Sequence, residues 1–328
     1  MYTKRIIEAR VIWYFSWRML SLTTVLAFLV YLLYHQLGFH KIAVPFLPIA
    51  TVGTAVAFYV GFKNNSSYDR LWEARKIWGE LTNTSRSLIS YLAAVMQNES
   101  ARSELKNFAY RQIAYVNILR LQLRKRSVWD ENHEYTRMSK VCFETKPFEQ
   151  AAEETLESFC PADADAVRQK KNMANEILQR QMKGLASFKT RDWIDSYAQS
   201  DLLKLCNELF ISQGKAERIK NFPFPRQYAF FSEVFVYIFT ALLPFGLIGE
   251  FAKLGEKQEW LEIPFSVLIS WIFITMEKVG DTSENPFEGS LNDIPMTTIC
   301  RNIEIDLKEM LGETELPLPL EPDEHVLM

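Results

Sequence analysis

Two charge-free apolar runs near the N-terminus, Met19 to Tyr34 and Ile42 to Phe62, restrict this chain more than any other feature. About 20 apolar residues rising 1.5 Å each cross the ~30 Å hydrocarbon layer of a bilayer. Inside that layer a single segment satisfies its own backbone hydrogen bonds only as a helix. The second run meets the length alone, and the first meets it with its polar flanks. Two further runs are weaker: Ala229 to Gly249 contains Glu233, and Ile263 to Met276 is short and flanked by Trp260 and Lys278. Either has the composition of a buried helix in a soluble domain, but beside two spans the pattern predicts four transmembrane helices, at 19–34, 42–62, 229–249 and 263–278.

The basic residues set an orientation. Lys4, Arg5, Arg10 and Arg18 precede the first span; Lys63, Arg70, Arg75 and Lys76 follow the second; Lys215, Arg218, Lys220 and Arg226 precede the third. The opposite connectors hold only Lys41 and the pair Lys253 and Lys257, so the excess of positive charge places both termini in the cytoplasm of a cell with this protein in its inner or plasma membrane. Glu8, Trp13, Tyr14 and Trp17 interrupt the basic residues ahead of the first span, which is not the layout of a cleavable signal. Residues 1–18 have the composition of a helix lying in the membrane interface. Residues 63–228 show recurring helical spacing and no sustained alternation, which predicts a helical cytosolic segment with breaks at Pro147, at Cys160-Pro161 and at the Pro223/Pro225 pair. A cytosolic helical region at 279–311 and an extended, proline-bearing tail at 312–328 complete the chain.

Several function classes find no support. A formal charge of -3 offers no electrostatic footprint for nucleic acid. Cys142, Cys160, Cys206 and Cys300 lie far apart, as free thiols rather than a zinc or disulfide framework. His35, His40, His133 and His325 form no pair at metal-ligand spacing, and neither a nucleophile elbow nor a phosphate-binding glycine loop occurs, so an enzyme and a resident metal are not expected.

The second span carries two stripes of period four. Gly53, Ala57 and Gly61 share a face on which another helix can approach closely, while Thr54, Phe58 and Phe62 form a bulky stripe beside it. From spacing alone the phenylalanines suit lipid contact, bundle packing or a pore wall. Glu233, an acid inside a span, is either an interfacial residue paired with a base such as Arg226 or part of an ion path.

The segments Val44-Pro45-Phe46 and Gly61 to Gly79 (GFKNNSSYDRLWEARKIWG) resemble the most recognisable part of the bestrophins, in their short bacterial branch. Pro223-Phe224-Pro225, Leu242 to Gly246, Asn285-Pro286-Phe287 and Asn292 to Pro295 resemble further landmarks of that family in the same order. The resemblance implies a homopentameric channel for small monovalent ions, chloride-like anions foremost, with a hydrophobic neck at Thr54, Phe58 and Phe62. Thr54 departs from the apolar residue usual there, which implies a wetter outer ring. Tyr197 matches a lower constriction or, equally, a tyrosine packed between helices. The acidic run that follows Asn-Pro-Phe in calcium-gated members is reduced here to Glu288 and Asp293, so no calcium clasp is expected. A cation-selective channel of the same fold and a non-conducting membrane scaffold are the alternative readings.

Overall fold

The computed structural model describes residues 1–4, 6–7, 9–96, 98, 101–127, 146–290, 292–323 and 325–328; His133 and Cys142 lie outside them. The described residues are helical and separate into two units. One comprises Lys4–Arg70 with Pro223–Asn285, and the other Met1–Thr3, Leu71–Phe222 and Pro286–Met328.

The first unit holds α1 (Ala9–His35), the first half of α2 (Phe46–Val95), α8 (Arg226–Ala252) and α9 (Glu262–Asp281). Among the described residues, these helices hold the four stretches long and apolar enough to cross a membrane. No proline or glycine interrupts Ala9–His35, so α1 runs unbroken through what the sequence divides into an interfacial helix and a span. Gly38, at φ 65°, then takes the left-handed conformation that turns the chain. Pro48 lies in the first turn of α2, where a missing N–H costs no helical hydrogen bond. α9 packs on α1 and on α8. The core of this unit joins Ile49, Val56 and Val60 of α2 to Val236, Phe239 and Leu243 of α8 and Ile274 of α9. Gly246 permits the close approach of α2, since a Cβ there would sit 2.7 Å from Ile49 Cδ1.

The second unit contains the rest of α2 with α3 (Arg102–Arg124), α4 (Phe148–Phe159), α5 (Ala164–Arg168), α6 (Met173–Thr190), α7 (Ser196–Asn221) and α10 (Met296–Met310). The proline breaks fall where the sequence puts them. Pro147 precedes α4, Pro161 opens a short 3-10 turn, and Pro223 and Pro225 separate α7 from α8. α3 is the central helix, flanked by α4, α6 and α10, and Trp78, Phe108, Tyr115, Leu119 and Ile177 are fully buried. The tail after α10 has no helix. It is held by Tyr110 on Glu313 at 2.9 Å and by Arg301 on the Leu318 carbonyl at 3.1 Å, and Val326 bridges Tyr2.

Cys160, Cys206 and Cys300 are buried in this unit. Burial pushes the Cys160 and Cys206 thiols up to about 12, which keeps them protonated and unreactive near neutrality. Native protein treated with a thiol-reactive reagent is therefore expected to leave both unmodified until denaturant is added, as measured by peptide mass analysis; rapid native modification of either contradicts this packing.

Candidate functional site

α2 presents two unlike faces along its first half. Ile49, Gly53, Val56, Val60, Lys63 and Ser67 are all buried, and their alternating spacing of four and three is that of a helix seam held against a partner over many turns. On the other side Thr54, Phe58 and Phe62 are exposed, Phe58 at 66% and Phe62 at 71%. Two large aromatic side chains facing away from their own bundle, one turn apart on a membrane-spanning helix, are poised to meet something outside the chain. Thr54 satisfies its hydroxyl within the helix by donating to the Ala50 carbonyl at 3.0 Å.

The small-residue stripe divides. Gly53 packs within the chain, where a Cβ would lie 2.6 Å from Phe239 Cε2. Ala57 is half-buried beside an apolar groove of about 490 Å³ lined by Phe46, Gly53, Ala57, Phe58, Phe239 and Phe273. Gly61 is exposed, and nothing lies within 4 Å of where its Cβ would be. Period four drifts around a helix of 3.6 residues per turn, so the three glycine-like positions cannot all keep to one seam.

The turn after Phe62 is anchored by groups that belong to neither stripe. Lys63, 2% exposed, forms an ion pair with Glu277 of α9, and Ser232 of α8 donates to the other carboxylate oxygen. Asn64 adds a bond from Nδ2 to the Met276 carbonyl at 2.9 Å. Gly280 leaves room for it, because a Cβ there would fall 2.0 Å from Asn64 Oδ1. Lys63 and Glu277 thus fix the rotation of α2 about its axis, and with it the outward aim of Phe58 and Phe62. In sequence Lys63 is one of the basic residues after the second span and nothing singles out Glu277; only their burial against each other marks them.

Glu233 is half-exposed, accepts from the Tyr237 hydroxyl at 2.6 Å and lies 4.0 Å from Lys278 Nζ. The base beside it is thus Lys278 of α9. In the other unit Tyr197 is 84% exposed in the first turn of α7, which Asp195 caps by accepting the Ala198 N–H at 2.6 Å. Among the described residues it does not pack between helices of its own chain.

Residues 5–309 match the family model of the bacterial/fungal bestrophin proteins. The chain is 31% identical over 280 residues to the voltage-dependent anion channel-forming protein YneE of Escherichia coli K12, covering 85% of this chain and 81% of that one. It is 28% identical over 269 residues to the voltage-dependent anion channel-forming protein RSc3414 of Ralstonia nicotianae, covering 82% and 78%. Among solved structures, a bacterial bestrophin homolog from Klebsiella pneumoniae superposes with a TM-score of 0.75 at 24% identity, over 90% of this chain and 98% of that one.

Removing one member of a buried ion pair strands the other charge at a cost of about 3–5 kcal/mol. Lys63→Met is therefore expected to lower thermal stability strongly in detergent, while the double variant Lys63→Met/Glu277→Leu recovers most of the loss. Equal melting temperatures for wild type and Lys63→Met would show that the pair carries no weight.

Proposed function

The chain belongs to the bacterial/fungal bestrophin family, and from that premise we propose that it is one subunit of a homopentameric ion channel whose neck is formed by Phe58 and Phe62. The observation that carries this reading is their exposure on a membrane-spanning helix whose opposite face is locked into its own bundle. Around a symmetry axis such side chains form successive apolar rings. A narrow apolar ring blocks ions by expelling water and conducts once widened. Phenyl edges carry partial positive charge and faces partial negative charge, so ring tilt decides which ion sign is favoured. The relatives named as anion channel-forming proteins support passage of chloride-like anions. Thr54 lies one turn ahead of Phe58 as a polar lip, and Tyr197 is an exposed candidate for a second constriction on the cytosolic side. The excess of basic residues on one side of the spans supports a cell membrane location with both termini cytoplasmic.

Control by calcium does not fit the residues after Asn285-Pro286-Phe287. Glu288 accepts from Lys220 Nζ at 2.6 Å and from the Ser127 hydroxyl at 2.6 Å. Burial pulls the Lys220 ammonium below the ordinary lysine range, and Glu288 beside it opposes that shift. Asp293, 1% exposed, accepts from Arg124 at 2.6 Å and from the backbone N–H groups of Phe287, Gly289 and Ile294. Phe287, at φ 76°, and Gly289, at φ 84°, hold the left-handed conformations that turn those N–H groups inward. Both acids are already neutralised by bases of the chain itself, so neither has spare charge for a hard cation.

Phe58→Ala and Phe62→Ala are each expected to raise single-channel conductance in planar bilayers; unchanged currents in both would remove the neck from this helix. In a salt gradient, Glu233→Gln shifts the reversal potential if Glu233 lies in the ion path and leaves it in place if its contacts with Tyr237 and Lys278 are structural. Currents are expected to be indifferent to calcium, and steep activation at micromolar levels would count against the neutralised loop. A purified, correctly assembled protein that passes no ions in liposomes would favour the scaffold reading instead.

A further inference from the structure

α2 runs as one helix from Phe46 to Val95, and no proline or glycine separates Phe62 from Asp69. The two-faced pattern therefore continues past the aromatic stripe. Val60, Lys63 and Ser67 are buried, whereas Phe62, Asn65, Ser66 and Asp69 are exposed. Seven residues fall about 20° short of two full turns, so Asp69 stands on the Phe62 side of the helix, ~10 Å further along it. Asn65 lies between them on that side.

The charges of this stretch separate by face. In sequence Lys63, Asp69 and Arg70 follow Phe62, two bases and one acid. Lys63 is turned into the bundle against Glu277. Arg70 is half-buried, with the Glu284 carboxylate near enough to act on its charge. Each base is thus matched by an acid of the same chain. Asp69 differs: among the described residues it forms no hydrogen bond and no ion pair. Acids further along α2 do, Glu73 with Lys76 and Glu80 with Lys215. The outward side of α2 just after Phe62 therefore presents a negative charge, although the sequence from Lys63 to Arg70 is net basic.

We propose that Asp69 is a determinant of ion sign: repeated around the axis, it forms a ring of carboxylates on the cytosolic side of the aromatic neck, which gathers monovalent cations and repels anions. This rests on the channel reading above. Rings of acidic side chains beside a narrow pore raise the local concentration of cations. Thr54, Phe58 and Phe62 are uncharged, and so are Asn65 and Ser66, so Asp69 is the first charge on this face of α2 after the aromatic stripe. Its pull opposes the anion passage that the relatives' names support. Removing it moves the channel toward anions, whichever sign the wild type prefers.

Reversal potentials of the full-length protein in planar bilayers, under a potassium chloride gradient, test this. Asp69→Asn is expected to lower the cation-to-anion permeability ratio several-fold, and Asp69→Lys to lower it further. Asp69→Glu, which keeps the charge on a longer arm, is expected to retain the wild-type ratio, whereas a purely structural role for Asp69 would make the Glu variant behave like the Asn one. The difference between wild type and Asp69→Asn is expected to shrink in concentrated salt, because the ring faces water and is screened. Unchanged reversal potentials in both Asp69→Asn and Asp69→Lys, in channels whose conductance still responds to Phe58→Ala, would overturn the proposal and leave the channel reading standing; that is also the result if a neighbouring subunit neutralises the carboxylate. Absence of current from the assembled wild-type protein would remove both.

Discussion

The ion pair between Lys63 and Glu277 is the constraint on which the orientation of α2 depends. Two opposite charges buried among apolar helices cannot part without leaving a bare charge in a medium of low polarity, a cost of several kcal/mol. The pair therefore acts as a register pin. With Ser232 on the second carboxylate oxygen and Asn64 on the Met276 carbonyl, three helices are tied at one level, just after Phe62.

Once α2 is pinned, its remaining faces have no freedom. Val56, Val60 and Gly53 must point at α8, and Phe58 and Phe62 must point away. The apolar groove beside Phe58 lies on this outward side too, between α2, α8 and α9. A hydrophobic neck made from such side chains needs a rigid backing, because ring width is set by where the helix stands, and a packed core with an ion pair supplies one.

The second unit solves a different electrostatic problem by similar means. Its Asn-Pro-Phe loop collects three backbone N–H groups on Asp293 and balances that carboxylate with Arg124, while Lys220 balances Glu288. The loop is thus organised by charges internal to the chain. A left-handed Phe287 that is fully buried is tolerated because those contacts over-determine it.

Much of this was legible in the amino-acid sequence. Charge-free apolar length marked the first two spans and weaker apolar runs the other two, and the prolines at 147, 161, 223 and 225 marked the helix breaks, because hydrophobic length and ring geometry act locally. The aromatic stripe of Phe58 and Phe62 was visible as spacing, and the family as a run of specific residues. What spacing could not supply was which neighbour each face meets. Gly53 and Gly61 share a period, yet only Gly53 lies under Phe239. Glu233 faces Lys278, distant in sequence but adjacent across two helices. Lys63 counted only as a basic residue after the second span, and nothing in the sequence singles out Glu277 or Glu262. Tertiary packing made the first two a bonded pair and gave the third a serine hydroxyl, because burial and partner distance are properties of the assembled bundle rather than of any one helix.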